Sequence, residues 1–200
     1  MITTQEMKEL EESSGIPRIQ LMENAGRGIF SVLKDKFPEL KDKKILVVCY
    51  HGNNGGDGFV AARYLSEESG VDVLFIGDET KLKEEARINF RKIKNNDRIQ
   101  VLVDPEQADF DDYDIIIDAL LGTGTEGSIK QPISQIIDLV NSSSAYKVSV
   151  DIPTGLDPDT GEIHDKIINA DLIITMHDIK SGLERYKDKT VIVDIGIRKD

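Results

Sequence analysis

The sequence has one cysteine (Cys49), no tryptophan and three histidines among its 200 residues. A single thiol excludes a disulfide framework and a cysteine-rich zinc site. Positive charge is also short: 25 Lys and Arg stand against 37 Asp and Glu, a net charge of −12. Such a surface repels nucleic-acid backbones and anionic lipid headgroups, which disfavours both as general partners. An anionic ligand has to be gripped locally, by backbone N–H groups or by a cation. Long hydrophobic runs are missing too. No stretch approaches the ~18 apolar residues of a membrane span, and the opening MITTQEMKELEESS has no apolar h-region. The expectation is an intracellular, cytoplasmic chain.

What is present is an ordinary globular composition, 39% hydrophobic and 31% charged, at a length that suits one domain spanning residues 1–200. A chain of this size buries roughly 70% of its unfolded surface, so it needs no staple. The apolar runs are short and β-branched: residues 44–49, 71–76, 99–103, 114–118, 147–151, 171–176 and 190–194. Near-continuous Val/Ile/Leu runs of that length suit strands covered on both faces. Helical patterns lie between them at 58–68, 81–94 and 131–141, and another at 16–37 precedes the first strand. Prolines 17 and 132 open two of these helices. The alternation predicts an α/β fold: a three-layer αβα Rossmann-like sandwich with a doubly wound, mainly parallel sheet. In such sheets ligands bind beyond the carboxyl ends of the strands, so the residues after each strand matter most.

Four strand ends carry unusual chemistry. After the first comes His51-Gly52-Asn53-Asn54-Gly55-Gly56-Asp57-Gly58, whose glycines would permit close ligand approach or positive φ. Its asparagines offer amide oxygens, and Asp57 is placed to cap the next helix. A tight turn rich in turn residues is the bland alternative. After the fourth comes Asp118, at the expected strand terminus, then Gly122, Gly124 and Gly127 in a G-x-G-x-x-G spacing. That spacing presents backbone N–H groups to a phosphate; a flexible glycine loop capped by Asp118 is the alternative. Asp118 itself suits a cation ligand or a loop anchor.

After the fifth comes Asp151-Ile-Pro153-Thr154-Gly155. An aspartate ending a buried strand is desolvated, which raises a carboxyl's pKa and suits acid–base work. Pro153 and Gly155 would turn Thr154's hydroxyl or carbonyl back into the same place. The alternative is a carboxylate that merely caps the turn. After the sixth, Lys180 would meet a negative group of the ligand or of the site, or else be solvated. Cys49, inside a strand, reads as a small core residue. No Cys/His/carboxylate spacing makes a transition-metal site, and no serine-hydrolase order occurs.

Taken in order, these motifs resemble the YjeF N-terminal domain family, the NAD(P)H-hydrate epimerases. The landmarks are Leu21-Met-Glu-Asn-Ala-Gly26, Gly52-Asn-Asn-Gly-Gly-Asp-Gly58, Asp118 with Gly122-Thr-Gly124, Asp151-Ile-Pro-Thr-Gly155, Lys180-x-Gly182-Leu183 and Val193-Asp-Ile-Gly-Ile197. Departures are Tyr50 and His51, where the family often has small residues or proline, and an acidic Glu126 where some relatives are basic; Lys130 follows closely.

The resemblance implies an enzyme that interconverts the R and S epimers of NADHX and NADPHX at C6 of the hydrated nicotinamide ring, with one bound potassium ion. By motif, Asn54, Asp118 and Thr154 would hold the ion. Asn53, Asn54, Gly55, Gly56 and Asp57 would border the substrate with Lys180. The loop of Gly122, Thr123, Gly124, Thr125, Glu126, Gly127 and Ser128 would receive phosphate, and Asp151 would be catalytic. In bacteria and archaea this domain is often fused to an ADP- or ATP-dependent dehydratase, for which 200 residues leave no room; that dehydratase is then a functional partner. A homodimer is the expected assembly.

The chemistry agrees with the residues. C6 of the hydrate is a carbinolamine, so inversion proceeds through loss of hydroxide to an iminium or through ring opening to an aldehyde. Either route needs a proton carrier, with no redox change and no covalent nucleophile. Two other readings are a non-catalytic ligand-binding or scaffold module of the same fold, and an NAD-dependent dehydrogenase. The second fits poorly, because its glycine fingerprint belongs after the first strand.

Overall fold

A computed structural model describes residues 1–123, 128–163 and 165–198. Among the described residues seven strands form one sheet: β1 (Lys44–Cys49), β2 (Gly70–Phe75), β3 (Ile99–Leu102), β4 (Ile115–Ala119), β5 (Tyr146–Val150), β6 (Leu172–Met176) and β7 (Thr190–Val193). Their spatial order is β3-β2-β1-β4-β5-β6-β7, and every neighbouring pair is parallel. The chain winds outward from β1 to β3, then crosses back to β4. The crevice between β1 and β4 is therefore the topological switch point.

Among the described residues there are five α-helices: α1 (Thr4–Ser13), α2 (Arg18–Lys36), α3 (Asn53–Leu65), α4 (Glu84–Lys94) and α5 (Ile133–Ser142). The period of two along each strand sorts the core into two layers. Ile45, Val47 and Cys49 of β1 join Ile115, Ile117 and Ala119 of β4 beneath α1 to α4, while Leu46, Val48 and Ile116 face α5 and the 3-10 and loop segments after β3, β5 and β6. Each fully buried Val or Ile contributes roughly 1.5–3 kcal/mol of transfer free energy. The expected doubly wound three-layer architecture is the one present, with helices concentrated on one face.

Three local expectations are corrected. Helix α3 begins at Asn53, not Gly58, so most of the glycine-rich motif is helix rather than loop. Its glycines at 52, 55, 56 and 58 all have ordinary φ, and three serve packing. A Cβ on Gly55 would lie 1.9 Å from the Tyr50 carbonyl oxygen, one on Gly56 2.4 Å from Met22 Cε, and one on Gly58 2.6 Å from Ala119 Cβ. Small residues here let α3 lie close to the sheet and to α2. Asp57 consequently sits inside the helix, and Gly52 is the residue that precedes it.

The landmark at 21–26 is likewise a packing surface. Leu21, Met22, Ala25 and Gly26 are buried in α2, and a Cβ on Gly26 would stand 2.4 Å from Val60 Cβ. A helix not anticipated from the polar N-terminus, α1, starts in a reciprocal capping box between Thr3 and Glu6.

Candidate active site

Four adjacent strands, β1, β4, β5 and β6, deliver their carboxyl ends to one edge. At its centre is Asp118, which lies within β4 one residue before the strand's end and is 1% exposed. Its carboxylate accepts hydrogen bonds from Leu120 N (3.2 Å), Ser149 Oγ (2.8 Å), Thr154 N (2.9 Å) and Thr154 Oγ1 (2.6 Å). Burial raises its pKa, and these donors, Thr154 foremost, oppose the rise.

The turn after β5 does direct the Thr154 hydroxyl onto Asp118. The Thr154 carbonyl points elsewhere, accepting from Ile168 N at 2.9 Å. Gly155 makes this turn possible with φ +101°, where a Cβ would lie 1.8 Å from the Lys166 carbonyl oxygen.

Asn54 closes the crevice from the other side. It is buried in the first turn of α3, and its Nδ2 donates to the Leu121 carbonyl at 3.1 Å. Its Oδ1 is buried with no hydrogen-bond partner among the described residues. Gly122 lies against the same amide, since a Cβ there would be 3.5 Å from Oδ1. An amide oxygen, a carboxylate and a hydroxyl thus meet around one buried spot.

Asp151 is the second focus. It falls one residue past β5, not on its last residue, and adopts φ +64°. His177, the residue after β6, does the same at φ +65°. Left-handed backbone at a non-glycine residue costs about 1–3 kcal/mol and concentrates at functional sites. The Asp151 Oδ1 is held by Lys180 Nζ at 2.6 Å, Thr175 Oγ1 at 3.1 Å and Met176 N at 3.4 Å. Among the described residues no hydrogen bond reaches Oδ2. Lys180 is only 1% exposed and also donates to Met176 O at 2.8 Å and Thr175 Oγ1 at 3.2 Å. Of its expected readings, it meets a negative group of the site.

Asp57 remains partly accessible, yet burial of its carboxyl pushes it well above the usual carboxylate range. Asp151 and Glu11 add to that rise, and Lys180 opposes it. At the end of β1 the Tyr50 and His51 rings lie 3.8 Å apart, and His51 Nδ1 accepts from Asp78 N at 3.3 Å. These bulky residues link the β1 and β2 ends.

Residues 18–182 match the family described as YjeF-related protein N-terminus. The chain belongs to this family. A bifunctional NAD(P)H-hydrate repair enzyme of Pyrobaculum aerophilum is 42% identical over 92% of this chain and 38% of its own length. This YjeF-related chain thus spans about two fifths of that relative. NAD(P)H-hydrate epimerases of Nitrosopumilus maritimus (34% identical) and Elusimicrobium minutum (37%) are covered over 90% and 96% of their lengths. The crystal structure of yeast ynu0 shares the fold, with a TM-score of 0.85 at 24% identity over 100% of this chain and 89% of that one.

Of the residues singled out in the YjeF-related sequence, Asn54, Asp118 and Thr154 converge, as do Asp57, Asp151 and Lys180. Gly55 and Gly56 are buried in α3, and Asn53 is exposed at its start. Gly122 and Thr123 are half-buried and Ser128 is exposed; Gly124, Thr125, Glu126 and Gly127 lie outside the described residues. Three contributors were not singled out: Ser149, Thr175 and Glu11. Thr175 is a lone hydroxyl in an otherwise apolar strand and Ser149 lies between two valines, a signal that was available. Glu11 carried none, because nothing in the sequence brings α1 to this edge. No helix among the described residues is long and apolar enough to cross a membrane.

Proposed function

We propose that this chain is an NAD(P)H-hydrate epimerase, inverting C6 of NADHX and NADPHX by proton transfer through Asp151. The observation that carries the reading is a carboxylate at the carboxyl edge of the sheet with one oxygen fixed by Lys180, Thr175 and Met176. Oδ2 is left to a ligand, in a chain that covers 90% or more of relatives named for this activity. The fixed oxygen holds the side chain's rotamer, so the other gives and takes the proton on the carbinolamine hydroxyl.

The donor set around Asn54 Oδ1, Asp118 and Thr154 consists of hard oxygens, which suit an alkali cation and not a transition metal. A buried amide oxygen without a partner among the described residues calls for one. Potassium held there would supply a fixed positive charge that offsets Asp118. Asn54 and Thr154 would tie α3 and the turn after β5 to that charge.

The substrate's pyrophosphate is assigned to loop 122–128, with Asn53–Asp57 alongside. Among the described residues no side chain caps the start of α3, so its first N–H groups are available to an anion. The epimer formed would pass to an ADP- or ATP-dependent dehydratase, in keeping with the bifunctional naming of the longer relatives. The protein is proposed to act as a homodimer in the cytoplasm.

The test is epimerisation of purified R-NADHX in potassium buffer, followed by chromatography against an enzyme-free blank. Conversion well above the spontaneous rate is expected. A folded protein that binds the hydrate without accelerating inversion would instead be a binding module of this fold.

A further inference from the structure

Inversion through an iminium has a requirement that one carboxyl does not meet. The hydroxyl departs from one face of the ring, and water must return to the other. A group placed to protonate the departing oxygen is badly placed to take a proton from water arriving opposite.

The N-terminal segment brings another carboxyl to Asp151. Ile2 pairs with Lys180 in an isolated parallel bridge. Ile2 N donates to Ile179 O at 2.9 Å, and Ser181 N to Ile2 O at 3.1 Å. Thr4 N and Oγ1 bind Asp159 at 2.7 and 2.6 Å. Helix α1 is thereby seated over the segments that follow β5 and β6. Met7, 6% exposed, defines its inward face, and Glu11 follows one turn later on the same stripe.

Glu11 is half-buried, and among the described residues no hydrogen bond or ion pair engages its carboxyl. The charges that act on it are Asp151, Lys180, Arg18 and Glu12, and it acts in turn on Asp57. Side chains from α1, α3 and the ends of β5 and β6 therefore act on one another's charge, with Lys180 and Asp151 in direct contact. Burial, and then Asp151, raise the Glu11 pKa, so it holds a proton further up the pH scale than an exposed glutamate.

We propose that Glu11 is the second proton-transfer carboxyl of this site, serving the face of the nicotinamide ring that Asp151 does not. The proposal rests on the epimerase reading. In one direction Glu11 gives its proton to the C6 hydroxyl, the C6–O bond breaks to release water, and the nitrogen lone pair forms the C=N⁺ bond. Water adds to C6 on the other face, its proton passes to Asp151 Oδ2, and the electron pair returns to nitrogen. The reverse direction exchanges the two roles, and nothing is oxidised or reduced.

The test uses each NADHX epimer labelled with ¹⁸O at the C6 hydroxyl, in ordinary water, with wild type, Glu11→Gln and Glu11→Asp. Thermal melts check that each variant is folded. The wild type should lose label with each inversion. Glu11→Gln should slow inversion about 100-fold or more. It should still exchange label on the epimer whose hydroxyl faces Asp151, and Glu11→Asp should recover part of the inversion. Three results overturn the proposal alone: inversion by Glu11→Gln at the wild-type rate; equal loss of exchange and inversion for both epimers; and wild-type inversion with the label retained. A wild type that accelerates neither process overturns the epimerase reading as well.

Discussion

Lys180 and Asp151 meet at 2.6 Å with the ammonium's side chain 1% exposed and the carboxylate's 15%. A charge so deeply buried depends on its partner, because water cannot replace it. Asp151→Asn should therefore cost about 3–5 kcal/mol in urea unfolding, besides lowering epimerisation by about 100-fold or more. Asparagine tolerates left-handed backbone, so the loss reports the charge pair. Adding Lys180→Met to this variant should recover stability and leave activity lost. An Asp151→Asn protein as stable as wild type would contradict the pairing.

Potassium should raise Tm where sodium or choline does not, in proportion to the logarithm of its concentration above Kd. The Asn54→Ala variant should lose this increment. A potassium-specific rise that persists in Asn54→Ala would move the ion elsewhere.

Asp57 gives a pH signature with a definite sign. Its folded-state pKa is raised by burial, so the folded state holds the proton more tightly. The resulting stability is full below the unfolded value near 3.8 and is lost as pH rises through the folded value. Asp57→Asn removes the ionisation. The variant should gain stability over wild type at pH 7, and the gain should shrink as pH falls toward 4. Denaturant melts across that range measure it.

Two glycines in one motif should behave oppositely. A Cβ on Gly52 meets nothing within 4 Å, whereas one on Gly55 lands 1.9 Å from a backbone oxygen. Gly52→Ala should stay within about 0.5 kcal/mol of wild type, and Gly55→Ala should lose about 1–3 kcal/mol or more. Equal melting profiles would remove the packing role given to Gly55.

Cys49 is buried, and burial raises its thiol pKa, with Asp118 and Asp57 reinforcing the rise. A thiol reagent should label it only on unfolding. Rapid labelling of the native protein would show that the β1 end opens.

The strands were legible because each is a β-branched run between polar breaks, and their observed ends fall within about one residue of the runs. The start of α3 was not, because Asn, Gly and Asp read as turn residues while the chain uses them for close helix packing. At the site, the sequence announced Asp118 and Asp151 by their place at strand ends. It did not announce which oxygens would be taken. Whether Lys180 points inward depends on Thr175 and Met176, which are neighbours only through the backbone's turn after β6. Glu11 depends on a contact spanning almost the whole chain.

That contact, Ile2 against Lys180, also bears on how the protein is made. Helix α1 is translated well ahead of the segment it rests on. At 5–20 residues per second its apolar face waits roughly 10–35 s for a seat. During this interval the nascent chain is open to chaperones and to pairing with a neighbouring copy, and the candidate site cannot close until the segment after β6 has been made.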